Sequence, residues 1–321
     1  MKTFLKVFCI AFICFMVAMS AGVWGFSKYY SESDSDASID SEENKEDIKY
    51  EEFDNRSELK KMMDESKRIN VLLLGMEGPR TDTIIFASFD PESKNVDLVS
   101  IPRDTYYERR QYRDPAEQKI NAVYGDDGVE GITKAVRKVL GDVPIHYYAS
   151  VTYKGVERIV DSLGGVEVNI PMNMKYDDPY DKPPLHIDFK KGPKVLNGKT
   201  AIQFLRFRKG NNGGGYPDGD LGRNKAQQEF IKSALGKALG FRLPVVANTV
   251  VKYVKTDIPL SKIASIAKDA VGMKRENVKT YSIPGKAVMQ NRLSYFMHDK
   301  DQIEELTKEI YSGGKYEKSG E

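Results

Sequence analysis

The sequence predicts an α/β domain in which a mixed central sheet is flanked by helices on both faces. Three observations predict it. Short apolar runs bounded by turn residues, such as residues 70–75 (NVLLLG) and 96–101 (VDLVSI), have the length and composition of buried strands. Other stretches carry apolar residues at helical spacing and stop at glycine, as residues 129–140 do before Gly141. The two kinds interleave along the chain without an internal repeat, which is the pattern of layered α/β architecture.

Taken in order, residues 70–75 read as a buried strand. Residues 83–89 and 96–101 are two more strands, joined by a turn over residues 90–95. Residues 129–140 form a helix, 146–151 a strand, and 153–163 a helix stopped by Gly164 and Gly165. Residues 166–170 (VEVNI) alternate as a half-buried strand does and run into Pro171. Residues 172–195 are rich in proline, aspartate and tyrosine and read as a long surface excursion. A helix over 198–204 then feeds an extended segment bearing Arg206 and Arg208. That placement puts both guanidinium groups on one face and turns Leu205 and Phe207 to the core. Asp220 reads as the N-cap of a helix reaching about Leu239, with Gly240 as its stop. Residues 244–255 and 261–271 are helical, 278–283 a strand, and 300–311 an amphipathic last helix.

The chain before this domain has a different character. Residues 7–24 are apolar and uncharged, long enough to cross a bilayer as a helix, with Lys2 and Lys6 ahead of them. Two readings compete, an uncleaved anchor and a cleaved signal peptide; both export the rest of the chain. Residues 31–66 hold fourteen acidic and five basic side chains and few apolar ones, the composition of a solvated linker. With a whole-chain charge of +2 and three lysines in the first thirty residues, residues 67–321 carry +8. A basic exported domain suits anionic lipids or wall polymers, and its topology argues against nucleic acid. The expected organisation is therefore a cytoplasmic tip and anchor over 1–26, an acidic disordered linker over 27–66, a catalytic domain over 67–312 and a flexible tail over 313–321.

Both cysteines, Cys9 and Cys14, fall in the apolar run, so the exported part has no thiol for a disulfide or a metal. Its three histidines have no zinc spacing, and no G-x-S-x-G motif is present. Chemistry concentrates instead in residues 204–228, FLRFRKGNNGGGYPDGDLGRNKAQQ. Arg223 and Gln227 share a helix face there, near a helix N-terminus that attracts anions. Together with Arg206 and Arg208 they form a set of cationic forks suited to phosphate or pyrophosphate. Arg206 and Arg223 both read as exposed, so alanine at either is expected to leave the fold intact. Two earlier strands end in further candidates. Glu77 and Asp82, in GMEGPRTD, offer oxygen ligands for a hard cation such as Mg²⁺, although a plain turn with a capping aspartate explains them as well. Arg103, in SIPRD, is either a member of the anion clamp or half of a surface pair with Asp104.

The order and spacing of NVLLLG, RTDT, VSIPRD, KINAVY (residues 119–124) and LRFRK…GDLGRNKAQQ, behind one apolar N-terminal run, resemble the LytR-CpsA-Psr family of Gram-positive cell-envelope proteins. The resemblance covers about residues 67–312. It implies a phosphotransferase on the outer face of the membrane that moves a glycopolymer from a polyprenyl-pyrophosphate donor to a peptidoglycan acceptor through a phosphodiester. The polymers of the class include wall teichoic acid and capsule. It assigns pyrophosphate binding to Arg103, Arg206, Arg208 and Arg223, with Gln227 beside them. Mg²⁺, or Mn²⁺ in its place, goes to Asp82 and Glu77. Arg80, Lys119 and Asp220 are carried as further substrate-binding positions. The family usually has an aspartate where this chain has Glu77, and a longer loop before RTD. Asp82 and Asp220 both stand as candidates for the base that takes the acceptor proton. The prenyl tail needs an apolar slot, for which Ile132, Val136, Phe230 and Leu235 are candidates. A hydrolase of the same lipids and a non-catalytic lipid-phosphate-binding or regulatory protein are the rival readings.

Overall fold

The computed structural model describes residues 57–112, 114–181, 184–238, 243–290 and 292–313. The apolar run, both cysteines, most of the acidic linker, Gly240 and the tail beyond residue 313 lie outside them. Among the described residues no helix is long and apolar enough to cross a membrane.

The frame is a six-stranded mixed sheet. Its strands are β1 (Ile69–Glu77), β2 (Arg80–Asp90), β3 (Asn95–Ile101), β4 (Tyr147–Thr152), β9 (Val254–Thr256) and β10 (Val278–Ser282), in the order β10-β3-β2-β1-β4-β9. β1 and β2 pair antiparallel as a tight hairpin, whereas β1 and β4 run parallel and so require a crossover. That crossover is α2 (Val123–Val139). It packs Ile132, Ala135, Val136 and Val139 against Leu72, Leu74, Ile84 and Phe86, together with Ile303 and Ile310 of α8 (Lys300–Tyr311). Alternation on β2 sends Ile84 and Phe86 to that layer and Ile85 and Phe89 to the other. There they meet Ile231 and Leu235 of α5 (Asp220–Ala238) and Ile266 of α7 (Leu260–Asp269). Helices thus cover both faces, as the interleaved pattern requires.

A second core sits beside the sheet. It is built from α3 (Tyr153–Ser162), α4 (Gly198–Arg206), α5 and two strand pairs, β5 (Val166–Ile170) with β8 (Gly192–Leu196) and β6 (Met174–Asp178) with β7 (Leu185–Phe189). The expected surface excursion over 172–195 is wrong: Met174, Leu185, Ile187 and Phe189 are buried in this core. Turn-forming residues dominate the segment's composition and mask a short alternation, which is enough for a five-residue strand. A further hairpin, β11 (Gly285–Gln290) with β12 (Leu293–His298), lies before α8, and α6 (Leu243–Tyr253) precedes β9.

Two other expectations need correction. The linker does not extend to residue 66: Ser57 caps α1 (Glu58–Glu65) by accepting from the Lys60 N–H, and Leu59 is buried. Nor do Arg206 and Arg208 share a strand. α4 continues through Arg206, because Ala201 and Phe204 bury at helical spacing; Phe207 then turns the chain, its side chain buried at 1% exposure. Among the remaining elements the strand over 166–170 and the helix over 300–311 agree at both ends, but α2 begins six residues before expectation, β9 takes residues 254–255 that were expected to be helical, and the β11–β12 hairpin is not among the expected elements.

Candidate functional site

The site is a cavity of about 610 Å³ between the β1–β4–β9 side of the sheet, α3, α5, α6 and the β6–β7 pair. Its lining changes character along two elements. On β1 it passes from Leu73 and Leu74 through Gly75 to Glu77. On α5 the residues Leu235, Ile231, Gln227 and Arg223 are four apart and all line it, so apolar gives way to polar toward the helix N-terminus. From Leu235 to Arg223 the helix rises about 18 Å. Val156, Ile159, Val250 and Val254 extend the apolar end; Asp82, Arg103, Arg206, Arg208 and Lys209 join the polar one.

Local structure places each polar group. Gly75 faces Thr83 so closely that an added Cβ would lie 2.9 Å from the Thr83 Cβ. Just beyond it the β1–β2 register slips: Gly75 pairs with Thr83 and Met76 with Thr81, leaving Asp82 as the extra residue of a bulge. Bulges re-aim side chains, and this one sends Asp82 into the cavity beside Glu77. Arg103, in the turn after β3, donates from Nη1 to Asp82 Oδ1 at 2.7 Å. The Tyr153 hydroxyl, at the start of α3, donates to Asp82 Oδ2 at 3.2 Å, and the Arg206 guanidinium lies 5.0 Å from the centre of the same ring. Arg206 ends α4, where the helix dipole favours a cation. It bridges Asp181 Oδ2 at 2.8 Å and Glu77 Oε1 at 3.1 Å. Gln227 donates to the Leu205 carbonyl at 3.1 Å, tying α5 to the end of α4.

The electrostatics are uneven. Glu77 is hydrogen-bonded to Asp82. That bond, with burial and the Asp82 charge, pushes its carboxyl up to about 7 against the opposing pull of Arg206 and Arg103. Burial also works against an ionised Asp82, but the Glu77 hydrogen bond and the Arg103 charge outweigh it and hold it below the usual range. The two carboxyls therefore share one proton near neutrality. Burial raises the Tyr153 hydroxyl, helped by the negative charge of Asp82 and Glu77, so it remains a donor. Arg223 is 6% exposed; burial depresses its guanidinium against the support of Asp220, whose Oδ1 is 2.7 Å from Nη2. Nε of Arg223 and Nε of Arg103 are buried without a hydrogen-bond partner, whereas Arg223 Nη2 is engaged in its ion pair with the enclosed Asp220 carboxylate. Unused buried donors at the mouth of a cavity are what an incoming anion would satisfy.

Seven of the residues read from the sequence come together here: Glu77, Asp82, Arg103, Arg206, Arg208, Arg223 and Gln227. Asp220 supports them from behind, beside Arg223 and 3.9 Å from Arg208 Nε. It lies inside the first turn of α5, one residue past the N-cap position expected for it. Arg80 and Lys119 are elsewhere. Arg80 pairs with Glu117 at 3.2 Å, and Lys119 with Asp104 at 2.9 Å beneath the Tyr295 ring. Of the apolar candidates Phe230 and Leu235 line the cavity, whereas Ile132 and Val136 belong to the core on the opposite face of the sheet. Sequence reasoning missed Tyr153, Tyr176, Asp178, Asp181 and Lys209. Only Lys209, adjacent to the arginine pair, carried a local signal.

Comparison with known proteins shows the family and the fold. The LytR_cpsA_psr family profile matches residues 26–312. A protein of Bacillus subtilis (strain 168) named polyisoprenyl-teichoic acid--peptidoglycan teichoic acid transferase TagU is 30% identical over 254 residues, 75% of this chain and 76% of that one. Regulatory protein MsrR of Staphylococcus aureus (strain COL) is 31% identical over 230 residues, 68% of this chain and 65% of its own. The crystal structure of B. subtilis TagV superposes with a TM-score of 0.65 at 26% identity, covering 78% of this chain and 99% of that one.

Proposed function

The chain belongs to the LytR_cpsA_psr family, and we propose that it transfers a glycopolymer from a polyprenyl-pyrophosphate carrier to peptidoglycan, forming a phosphodiester on the outer face of the membrane. The observation that carries this reading is the graded cavity. Its mouth gathers Arg103, Arg206, Arg208 and Arg223, and its walls turn apolar within one helix length. A diphosphate bearing a long hydrocarbon tail has that polarity, whereas a nucleotide or a free sugar phosphate would leave the apolar end unmatched. The relatives named as teichoic acid transferases make wall teichoic acid the first polymer to try, with capsule-type polysaccharides beside it. The apolar run at 7–24 and the lysines ahead of it support membrane anchoring with the domain outside.

In this reading the acceptor hydroxyl attacks the sugar-bearing phosphorus, and the bond from that phosphorus to the lipid phosphate breaks. Charge on a transferring phosphoryl is spread over its oxygens, so the work is positioning and charge stabilisation. The arginines hold the diphosphate and neutralise the departing lipid phosphate. Asp82 rather than Asp220 receives the acceptor proton, because both Asp220 oxygens are enclosed against Arg223 while Asp82 lines the cavity. The donor set fits a hard divalent cation. Glu77 and Asp82 are two carboxyls already sharing a proton, enough for Mg²⁺ when phosphate oxygens complete its shell. Mg²⁺ would be held by these two residues and would supply Lewis-acid stabilisation of the phosphoryl oxygens. Among the described residues no group of three or more histidine, cysteine or acidic side chains forms another metal centre.

The test is incubation of the full chain with Mg²⁺, a labelled polyprenyl-pyrophosphate saccharide and peptidoglycan. Sugar phosphate bound to the wall supports the transferase. Release of sugar phosphate at the same rate without peptidoglycan makes the protein a hydrolase. Donor binding without turnover makes it a non-catalytic lipid-phosphate binder.

A further inference from the structure

Transfer at the cavity mouth needs the carboxyl pair and the arginine clamp held in fixed relation, and one side chain touches both. Tyr153 lines the cavity where β4 gives way to α3. β4 ends at Thr152, which is opposite Met76 of β1, the residue before Glu77. The Thr152 side chain caps α3 by accepting from the Gly155 N–H at 3.3 Å, so the chain turns into the helix here and Tyr153 is its first residue. Gly155 keeps that first turn close to its neighbours: a Cβ there would stand 2.6 Å from Val151 Cγ2 and 3.0 Å from the Tyr253 carbonyl oxygen of α6. The Tyr153 side chain is used twice. Its hydroxyl donates to Asp82 Oδ2 at 3.2 Å, while Arg103 donates to Oδ1. Its ring faces the Arg206 guanidinium, whose carbon is 5.0 Å from the ring centre.

Each contact answers a local need. Asp82 is the extra residue of a bulge, so the ladder does not orient its side chain. Donors from the turn after β3 and from α3 fix its two oxygens instead. Carboxylates that hold a metal depend on such partners for their orientation. Arg206 meets Asp181 and Glu77 through its N–H groups, the same donors that a phosphate would take. A contact through the guanidinium face uses no N–H, so it persists while those donors turn to a diphosphate. We propose that Tyr153 is a positioning residue for transfer: its hydroxyl sets Asp82 for the divalent cation, and its ring holds Arg206 for the diphosphate. The two functions belong to different atoms of one side chain and are separable by substitution. The inference rests on the transferase reading for the identity of the donor, and on Glu77 and Asp82 for the cation.

Two equilibrium measurements on the full chain separate them, both made well below the melting temperature of each variant. Mn²⁺ binding without donor is measured at pH 8, above the range in which Glu77 releases its proton. Tyr153→Phe and Tyr153→Leu are both expected to weaken it about tenfold. Binding of a polyprenyl-pyrophosphate saccharide is measured without metal. There Tyr153→Phe should match wild type, because the ring remains, and Tyr153→Leu should bind about fivefold more weakly. In the transfer assay at limiting Mn²⁺, Tyr153→Phe should lower kcat about tenfold and leave the donor KM unchanged. Mn²⁺ binding that is the same in wild type and Tyr153→Phe overturns the role of the hydroxyl. Donor binding that is the same in Tyr153→Phe and Tyr153→Leu overturns that of the ring. A fall of both affinities by one factor in Tyr153→Phe would mark a general loosening of the cavity wall and overturn the whole assignment. If the variants divide as expected but wild type carries no sugar phosphate to peptidoglycan, the role of Tyr153 stands and the transferase reading fails.

Discussion

Glu77 and Asp82 are neighbouring carboxyls pushed in opposite directions, Glu77 up and Asp82 down, and they are the pair proposed to hold a divalent cation. Glu77 is raised to about 7 from an ordinary 4.5. The folded protein therefore holds a proton between these values that the unfolded chain releases. Stability from this source is complete below about pH 4.5 and declines as pH rises to 7. Cation binding must expel that proton, so Mn²⁺ or Mg²⁺ affinity should climb about tenfold per pH unit below 7 and level off above it. Titration calorimetry in two buffers of different ionisation enthalpy should register close to one proton released per ion at pH 6. Affinity that is flat from pH 5 to 8 would remove the pair as the metal site. Arg206 and Arg223 separate just as sharply. The Arg206 partners Glu77 and Asp181 have side chains 44% and 26% exposed, so Arg206→Ala leaves them hydrated. It should cost at most about 1 kcal/mol of stability while lowering transfer at least about a hundredfold. Arg223 is buried, contrary to the exposure expected from the sequence. Arg223→Ala strands an enclosed Asp220 carboxylate and should cost about 3 kcal/mol as well as activity. Thermal melts beside single-turnover transfer separate the two cases; equal loss of melting temperature in both variants contradicts the assignment. The arginines were legible because a basic motif beside a helix start announces itself. Tyr153 and Asp181 were not, because they reach the cavity only through α3 and a hairpin that the sequence hides.

At the scale of elements, α5 joins the two halves of the cavity. Its first turns bury Arg223, Asn224, Gln227 and Gln228, and its later turns carry Phe230, Ile231 and Leu235. No single apolar face is readable along it, since it packs against the sheet on one side and the hairpin core on the other. The helix itself was visible from its capping residue and spacing, but the division of its length into head and tail regions was not. The same limit explains why Ile132 and Val136 looked equivalent to Phe230 and Leu235: helical periodicity identifies a buried face and is silent on what buries it. The arginine pair misled for another reason. Spacing of two fits a strand, yet Arg206 ends α4 and Arg208 follows the bend at Phe207, so the two reach the mouth from different elements. Placing aspartate at Leu235 or Ile231 puts a carboxylate in the apolar end. We expect Leu235→Asp to raise the KM for a donor with a full-length prenyl tail at least about tenfold. A donor analogue with a tail of one or two isoprene units should keep its wild-type KM, because it does not reach so far along α5. Parallel loss on both donors, measured in the same assay, would show that the cavity had collapsed and would deprive the tail assignment of support.

For the domain as a whole, the catalytic mouth depends on a sheet whose far face is closed by α2, α8 and, at the N-terminal boundary, α1. The charge pattern alone suggested that the acidic linker runs to residue 66, but an eight-residue amphipathic segment sits at its end. Leu59 is 5% exposed, Met63 packs against the cluster containing Ile303 and Ile310, and Lys308 Nζ comes within 3.9 Å of Glu58. Acidic and basic side chains dominate the composition of residues 58–65, while the apolar contacts of Leu59 and Met63 decide their structure. The domain boundary consequently lies near residue 57. A fragment beginning at residue 57 should melt as the intact chain does. One beginning at residue 67 loses the burial of Leu59 and uncovers part of the first core. The lost side-chain burial is worth about 2–3 kcal/mol, or roughly 2–4 °C for each kcal/mol in a domain of this size. Leu59→Ala in the longer fragment should reproduce most of that loss without shortening the chain. Because α1 packs on the face of the sheet opposite the cavity, donor affinity should be the same in both fragments at temperatures well below melting. If the shorter fragment instead lost donor binding while melting at the same temperature, α1 would be acting on the site rather than on the fold, and the separation of the supporting face from the working face would be wrong.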